Sequence, residues 1–200
     1  KEPYGTAVVD LLRAVRYYAA FENGQFLVND QLFLTGYSEG GYATMATHQI
    51  IERDYSDEFN ITVSFPMAGA YSMSGLMVDL MLENTYYGEP FYMPYTLYSY
   101  IHYYGMGDVS DYFVPDFAAD VEDLYSGNYG GGYINSYMNS NGYNPPIACM
   151  LPSVVTEFST DENHILRQLL AENDLLDWAP QSATYLFHAL GDELVPHENS

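Results

Sequence analysis

The 200 residues carry 5 lysines and arginines against 27 aspartates and glutamates, a formal net charge of −22, with 48% hydrophobic and 16% aromatic content. That is enough apolar material for one domain with a real core, and the negative field argues against nucleic acid and polybasic membrane attachment; it reads either as a surface adapted for solubility or as a dedicated cation-binding surface. The single cysteine, Cys149, excludes an intrachain disulfide and a cysteine-based zinc site, and no apolar run approaches the length of about 18 residues that stable membrane insertion needs.

In chain order, residues 6–21 place Ala7, Val8, Leu11, Leu12, Val15 and Tyr18 at helical spacing, with Arg13 and Arg16 off that stripe. Glu22-Asn23-Gly24 supplies a stop signal in which Gly24 would cap the helix. Residues 31–35 form a short apolar strand, a helix follows from Tyr42 through Ala43, Met45, Ala46, Ile50 and Ile51 to about Arg53, and residues 61–67 read as a second buried strand closed by Ala68-Gly69-Ala70. This alternation predicts an α/β domain with a mostly parallel sheet, crossover connections and helices on both faces.

Beyond residue 71 the character changes. Glycine, asparagine and tyrosine crowd residues 86–143, with Asn128-Tyr129-Gly130-Gly131-Gly132 and Asn141-Gly142-Tyr143-Asn144-Pro145-Pro146 as breakers. Short helices are expected at residues 75–82, 114–125 and 163–173, and strand character returns only at residues 183–189. A connection of that length is not needed between two strands, so residues 1–70 are expected to be core, 71–181 an inserted cap or lid, and 182–200 core again, with an acid-bearing strand and turn.

Gly36-Tyr37-Ser38-Glu39-Gly40 matches Gly-x-Ser-x-Gly, a short pattern that recurs by chance. It gains weight from the strand before it and the helix after it, because the motif is meaningful where a strand turns sharply into a helix and leaves the serine hydroxyl exposed. Gly36 and Gly40 are expected to omit side chains that would clash across that strained turn, with Gly41 extending the clearance. Ser38 is then the candidate nucleophile and the N–H of Glu39, at the helix N-terminus, a candidate oxyanion-hole donor. The other reading is a serine in a glycine-rich loop.

A nucleophilic serine needs a base and the base an orienting acid, in the chain order Ser, Asp or Glu, His. Asp192, in the turn after the late strand, is the candidate acid, with Glu193 as the fallback and an ordinary turn aspartate as the alternative reading. Of His48, His102, His164, His188 and His197, only His197 follows Asp192, after too short an interval for a further strand and loop. His197 is therefore a weak candidate base, His188 is expected to engage neighbouring backbone, and the general base is expected beyond residue 200. Nothing strand-like precedes residue 6 to carry a second oxyanion donor. No histidine alternates with Asp, Glu or Cys at ligand spacing, so no metal and no cofactor are expected.

These stretches, Leu34-Thr35-Gly36-Tyr37-Ser38-Glu39-Gly40-Gly41-Tyr42-Ala43, Pro66-Met67-Ala68-Gly69-Ala70-Tyr71 and Gly191-Asp192-Glu193-Leu194-Val195-Pro196, resemble the α/β-hydrolase fold, and within it the secreted lipase and esterase-like serine hydrolases. The resemblance implies Ser38 as nucleophile, Glu39 N–H in the oxyanion hole and Asp192 as triad acid, acting on small-molecule or lipid-like carboxylic esters through an acyl-enzyme. It implies a secreted or periplasmic location, although Lys1-Glu2-Pro3 is not a signal peptide. The family's first strands and terminal histidine have no match in this sequence. The aromatic run Tyr86, Tyr87, Phe91, Tyr92, Met93 and Tyr95 would line a substrate pocket or pack the cap. A serine peptidase on the same fold and a non-catalytic hydrolase-like domain remain the alternatives.

Overall fold

Helix α1 (Glu2–Phe21), strand β1 (Leu32–Tyr37), helix α2 (Glu39–Asp54) and strand β2 (Ile61–Met67) follow one another as the sequence pattern predicts. They belong to a computed structural model that describes residues 1–21 and 27–200, so the expected stop at Glu22-Asn23-Gly24 lies outside the described residues. The chain divides into two compact units, residues 1–76 with 172–200, and residues 77–171.

In the first unit β1 and β2 pair in parallel, with Leu34 opposite Ser64 and Gly36 opposite Pro66. Residues 183–187 run parallel to β2 on its other edge. Ser64 N–H donates to Ala183 O at 2.9 Å, Tyr185 N–H to Ser64 O at 3.0 Å and Ala68 N–H to Phe187 O at 2.8 Å. In that register residue 66 would donate to Tyr185 O, and Pro66 has no N–H. The ladder is therefore reduced to two bridges, Ser64 with Thr184 and Met67 with Phe187, and the expected strand at 183–189 is an interrupted one.

Val9, Leu34, Ile51, Phe59 and Ile61 form a buried cluster with Leu12, Leu32 and Tyr55 against it. This cluster sets both α1 and α2 on one face of the sheet. The opposite face, expected to carry helices too, is open among the described residues, with Phe33 55%, Tyr37 68%, Tyr185 57% and Phe187 53% exposed. The stripe predicted for α1 is also shifted. Gly5, Val9 and Ala19 are buried, whereas Leu11 is 61% and Tyr18 55% exposed. The helix starts at Glu2 rather than at Thr6 and carries apolar residues around much of its girth; contact with α2 and β1 selects the Val9 side.

A carboxylate fixes where the third strand segment enters. Glu52, on α2, accepts hydrogen bonds from Gln181 N–H at 2.9 Å, Ser182 N–H at 2.8 Å, Ser182 Oγ at 2.8 Å and buried His48 Nε2 at 2.8 Å. His48 packs edge-on against Trp178. Partial burial pushes the Glu52 pKa up, but the bonds from Gln181, His48 and Ser182 outweigh it and hold the carboxyl below the usual range.

Under the turn between β1 and α2, a Cβ on Gly36 would lie 2.1 Å from Gly40 O and one on Gly41 2.1 Å from Met67 O, whereas one on Gly40 would meet nothing. The steric need expected at Gly36 and Gly40 is thus carried by Gly36 and Gly41. Gly40 faces open space because the first turn of α2 directs it away from β2.

The second unit is helical: most of α3 (Leu76–Leu82), α4 (Tyr92–Tyr104), α5 (Pro115–Leu124), α6 (Gly131–Ser140), α7 (Pro152–Thr160) and most of α8 (Ile165–Glu172). Helices α3, α5 and α8 match the expected ones. Helices α4, α6 and α7 were not predicted, since tyrosine, glycine and β-branched residues favour helix weakly. Each buries apolar residues one turn apart: Met93, Leu97 and Ile101; Ile134 and Met138; Val154 and Phe158. Of the expected aromatic run, Met93 is core while Tyr86 is 74% exposed.

Two stability measurements check these assignments. Gly41→Ala lowers unfolding free energy by about 1–3 kcal/mol through overpacking against Met67 O, whereas Gly40→Ala is neutral or stabilising by up to about 1 kcal/mol, as read from urea midpoints. For Glu52 the folded pKa lies below the unfolded one, so its contribution is present above the ordinary carboxylate value and is lost as pH falls through the depressed one. Glu52→Gln therefore costs about 1–3 kcal/mol at pH 7, and the gap from the parent narrows below about pH 4.

Candidate active site

Strand β1 ends by delivering Ser38 to the N-cap of α2 with φ 58° and ψ −123°, one of three non-glycine residues at positive φ among those described. For an L-residue this backbone is strained by on the order of 1–3 kcal/mol. It is over-determined by its neighbours: Ser38 N–H donates to Met67 O at 2.9 Å, and Ser38 O accepts from Gly41 N–H at 2.8 Å and Tyr42 N–H at 3.1 Å. A serine at an N-cap ordinarily turns its hydroxyl onto the helix N–H groups, and Ser38 makes no such bond. Ser38 Oγ has no hydrogen-bond partner among the described residues, and the residue is partly exposed.

Glu39 opens α2, so its N–H is one of the helix-terminal donors without an intrahelical acceptor. Its exposed side chain accepts a hydrogen bond from Tyr4 OH. Beneath the elbow Tyr42, Met45, Ala46, Tyr71 and Leu175 form a second buried cluster, and burial pushes the Tyr71 phenol up to about 12. Tyr42 OH donates to Asn173 O at 2.7 Å, and Leu175 N–H to Tyr71 O at 3.0 Å, tying the returning chain to the end of β2.

Asp192 lies in the turn after residues 183–187. Its Oδ1 accepts the N–H groups of Leu194 and Val195, each at 3.0 Å, and its side chain is 13% exposed. These two bonds form the turn, and no hydrogen bond joins Asp192 to Ser38. Glu193 is exposed. His188 donates from Nε2 to Val195 O at 2.8 Å, the backbone engagement expected of it. His197 sits on the surface with Nδ1 3.3 Å from Glu198 Oε2, and is not brought to Ser38 or Asp192 by any hydrogen bond. His48 is committed to Glu52, His164 Nδ1 accepts from Leu166 N–H at the start of α8, and His102 stands edge-on to Tyr98. Sequence reasoning missed Glu52 and the His188–Asp192 proximity of 3.4 Å; the signals were the His-to-acid spacings of four residues at His48 and Glu52 and at His188 and Asp192.

Among the described residues no group of three or more His, Cys, Asp or Glu side chains could hold a metal ion, and no helix is long and apolar enough to cross a membrane. Cys149 is buried, which pushes its thiol pKa up and leaves it unreactive.

No family model and no curated protein matches the sequence. Solved structures do match. The rice cell wall degrading esterase LipA from Xanthomonas oryzae superposes with a TM-score of 0.83 at 29% identity, over 98% of this chain and 52% of that one. A Legionella pneumophila protein gives a TM-score of 0.85 at 22% identity over 98% and 51%, and Candida antarctica lipase A gives 0.59 at 20% over 98% and 43%. The last two bear on the fold alone. The chain spans about half the length of the structures it matches. With a parallel sheet that turns at a strained serine into a helix, and these neighbours superposed on nearly all of it, the chain carries the α/β-hydrolase fold.

Proposed function

We propose that the protein is a serine hydrolase that cleaves carboxylic esters through an acyl-enzyme. The observation that carries this reading is Ser38: a positive-φ serine at a helix N-cap that does not cap the helix and keeps its hydroxyl unengaged. In this reading Ser38 Oγ attacks the ester carbonyl, its proton passes to a histidine, and the tetrahedral oxyanion accepts a hydrogen bond from Glu39 N–H. Collapse expels the alcohol, which takes the proton back, and water clears the acyl group by the same route. Asp192 is the acid that orients the histidine. The five histidines of this sequence are engaged elsewhere or lie on the surface, so the reading assigns the base to a histidine outside these residues.

The likeness to LipA, described as a cell wall degrading esterase and also solved in a ligand-bound form, supports an ester substrate and a location outside the cytoplasm. In this reading residues 71–181 are the inserted cap, and the exposed Tyr86, Tyr95 and Tyr103 within them offer rings with a polar end. Such a surface suits a small or lipid-like ester with polar groups better than a smooth apolar chain.

In the full-length protein, Ser38→Ala lowers kcat on p-nitrophenyl esters of graded length by about a thousandfold or more, and a fluorophosphonate probe labels the parent and not the variant. No labelling of the active full-length protein overturns the reading. Ser38→Gly is equally inactive but unfolds at higher denaturant than Ser38→Ala, by about 1 kcal/mol, because relief of the backbone strain exceeds the entropy that glycine adds to the unfolded chain.

A further inference from the structure

His188 follows directly on the last rung that ties residues 183–187 to β2, where Ala68 N–H donates to Phe187 O. Its side chain is 5% exposed. Nε2 lies 2.8 Å from Val195 O, and since a carbonyl only accepts, Nε2 carries the hydrogen. Nδ1 lies 2.7 Å from Ser200 Oγ and in the neutral ring accepts from it. The peptides flanking Val195 are thus held from two directions. The Val195 N–H donates to Asp192 Oδ1, and the Val195 C=O accepts from His188. The ring, the Val195 backbone and the Asp192 carboxylate close a circuit whose fixed end is the sheet.

That circuit leaves one carboxylate oxygen distinct. Oδ1 is used by Leu194 and Val195 N–H, while Oδ2 has His188 Nε2 only at 3.4 Å, beyond a normal hydrogen bond. Oδ2 is the oxygen able to take the N–H of a third group.

We infer that His188 is a positioning residue: through Val195 it anchors the Asp192 turn to the end of the sheet and so fixes where Oδ2 is presented to the base. This rests on the serine hydrolase reading with Asp192 as its acid. A triad acid displaced by a fraction of a bond length misorients the base, which lowers turnover without altering how substrate is held in the ground state.

The test is steady-state kinetics on p-nitrophenyl acetate, together with the rate of fluorophosphonate labelling, in the full-length protein. His188→Leu fills a similar volume with no donor, His188→Gln places an amide N–H at the reach of Nε2, and His188→Asn reaches only the position of Nδ1. The Leu and Asn variants lose about 10- to 100-fold in kcat and in labelling rate with KM changed less than about threefold, and the Gln variant recovers most of the loss. If the Leu variant does not fold, the Gln and Asn pair decides alone. Turnover in the Asn variant within about twofold of the parent, or a Gln variant no better than Asn, overturns the inference. Asp192→Asn measured alongside separates the two readings: full activity there removes Asp192 as the acid, whereas loss there with an unaffected His188→Asn removes only the role given to His188.

Discussion

The carbonyl of Met67 is the point on which the elbow depends. It ends β2 while accepting the Ser38 N–H, and it is the atom against which a side chain at position 41 would collide. Two constraints meet there. A bond draws the start of α2 onto the end of β2, and a glycine permits the approach. The strained backbone at Ser38 follows, since a chain leaving β1 in register with β2 and entering a helix within one residue of that carbonyl has few other dihedrals open to it. Ala68, next along, also has positive φ. Strain at two neighbouring turns is held by a buried layer below them, Tyr42, Met45, Ala46 and Tyr71.

The acid-bearing segment is secured by polar groups rather than by a continuous strand. Pro66 removes a rung from its ladder, and anchors at either end take up its function: Glu52 on the entry at Gln181 and Ser182, and His188 on the exit at Val195. A carboxylate with four donors is a directional anchor, and it is worth more in a partly dry site than an exposed ion pair. The arrangement lets a short, interrupted strand carry a turn of fixed geometry.

Charge is distributed with similar economy. All five cations have partners: Arg13 pairs with Glu58, Arg16 donates to Glu58 O, Arg53 joins Glu2 and Asp54, Arg167 bonds Phe158 O, and Lys1 Nζ donates to Asp174 O. Arg13, Arg16 and Arg167 also lie over aromatic rings. The remaining acidic groups give the chain its formal net charge of −22 and a field that repels polyanions.

The sequence by itself determined the order of helices and strands in the first unit, the parallel pairing and the elbow, because strand period, glycine spacing and helix period are local properties that a short window displays. It also pointed to Ser38 and Asp192 through their turns. The tertiary structure decided which face of α1 is buried, since Leu11 and Val9 are equally apolar and only the packing against α2 and β1 distinguishes them. It decided that Gly41 rather than Gly40 takes the close approach, because the direction of a missing Cβ depends on how α2 lies on β2. Helices α4, α6 and α7 were illegible for a related reason: the tyrosine-rich α4, the glycine-led α6 and the β-branched α7 have little intrinsic helicity and are helical here through burial of Leu97, Met138 and Phe158. The roles of Glu52 and His188 belong to the same class: the four-residue His-to-acid spacings mark the pairs, but the bonds to Gln181, Ser182 and Val195 are set by the folded path.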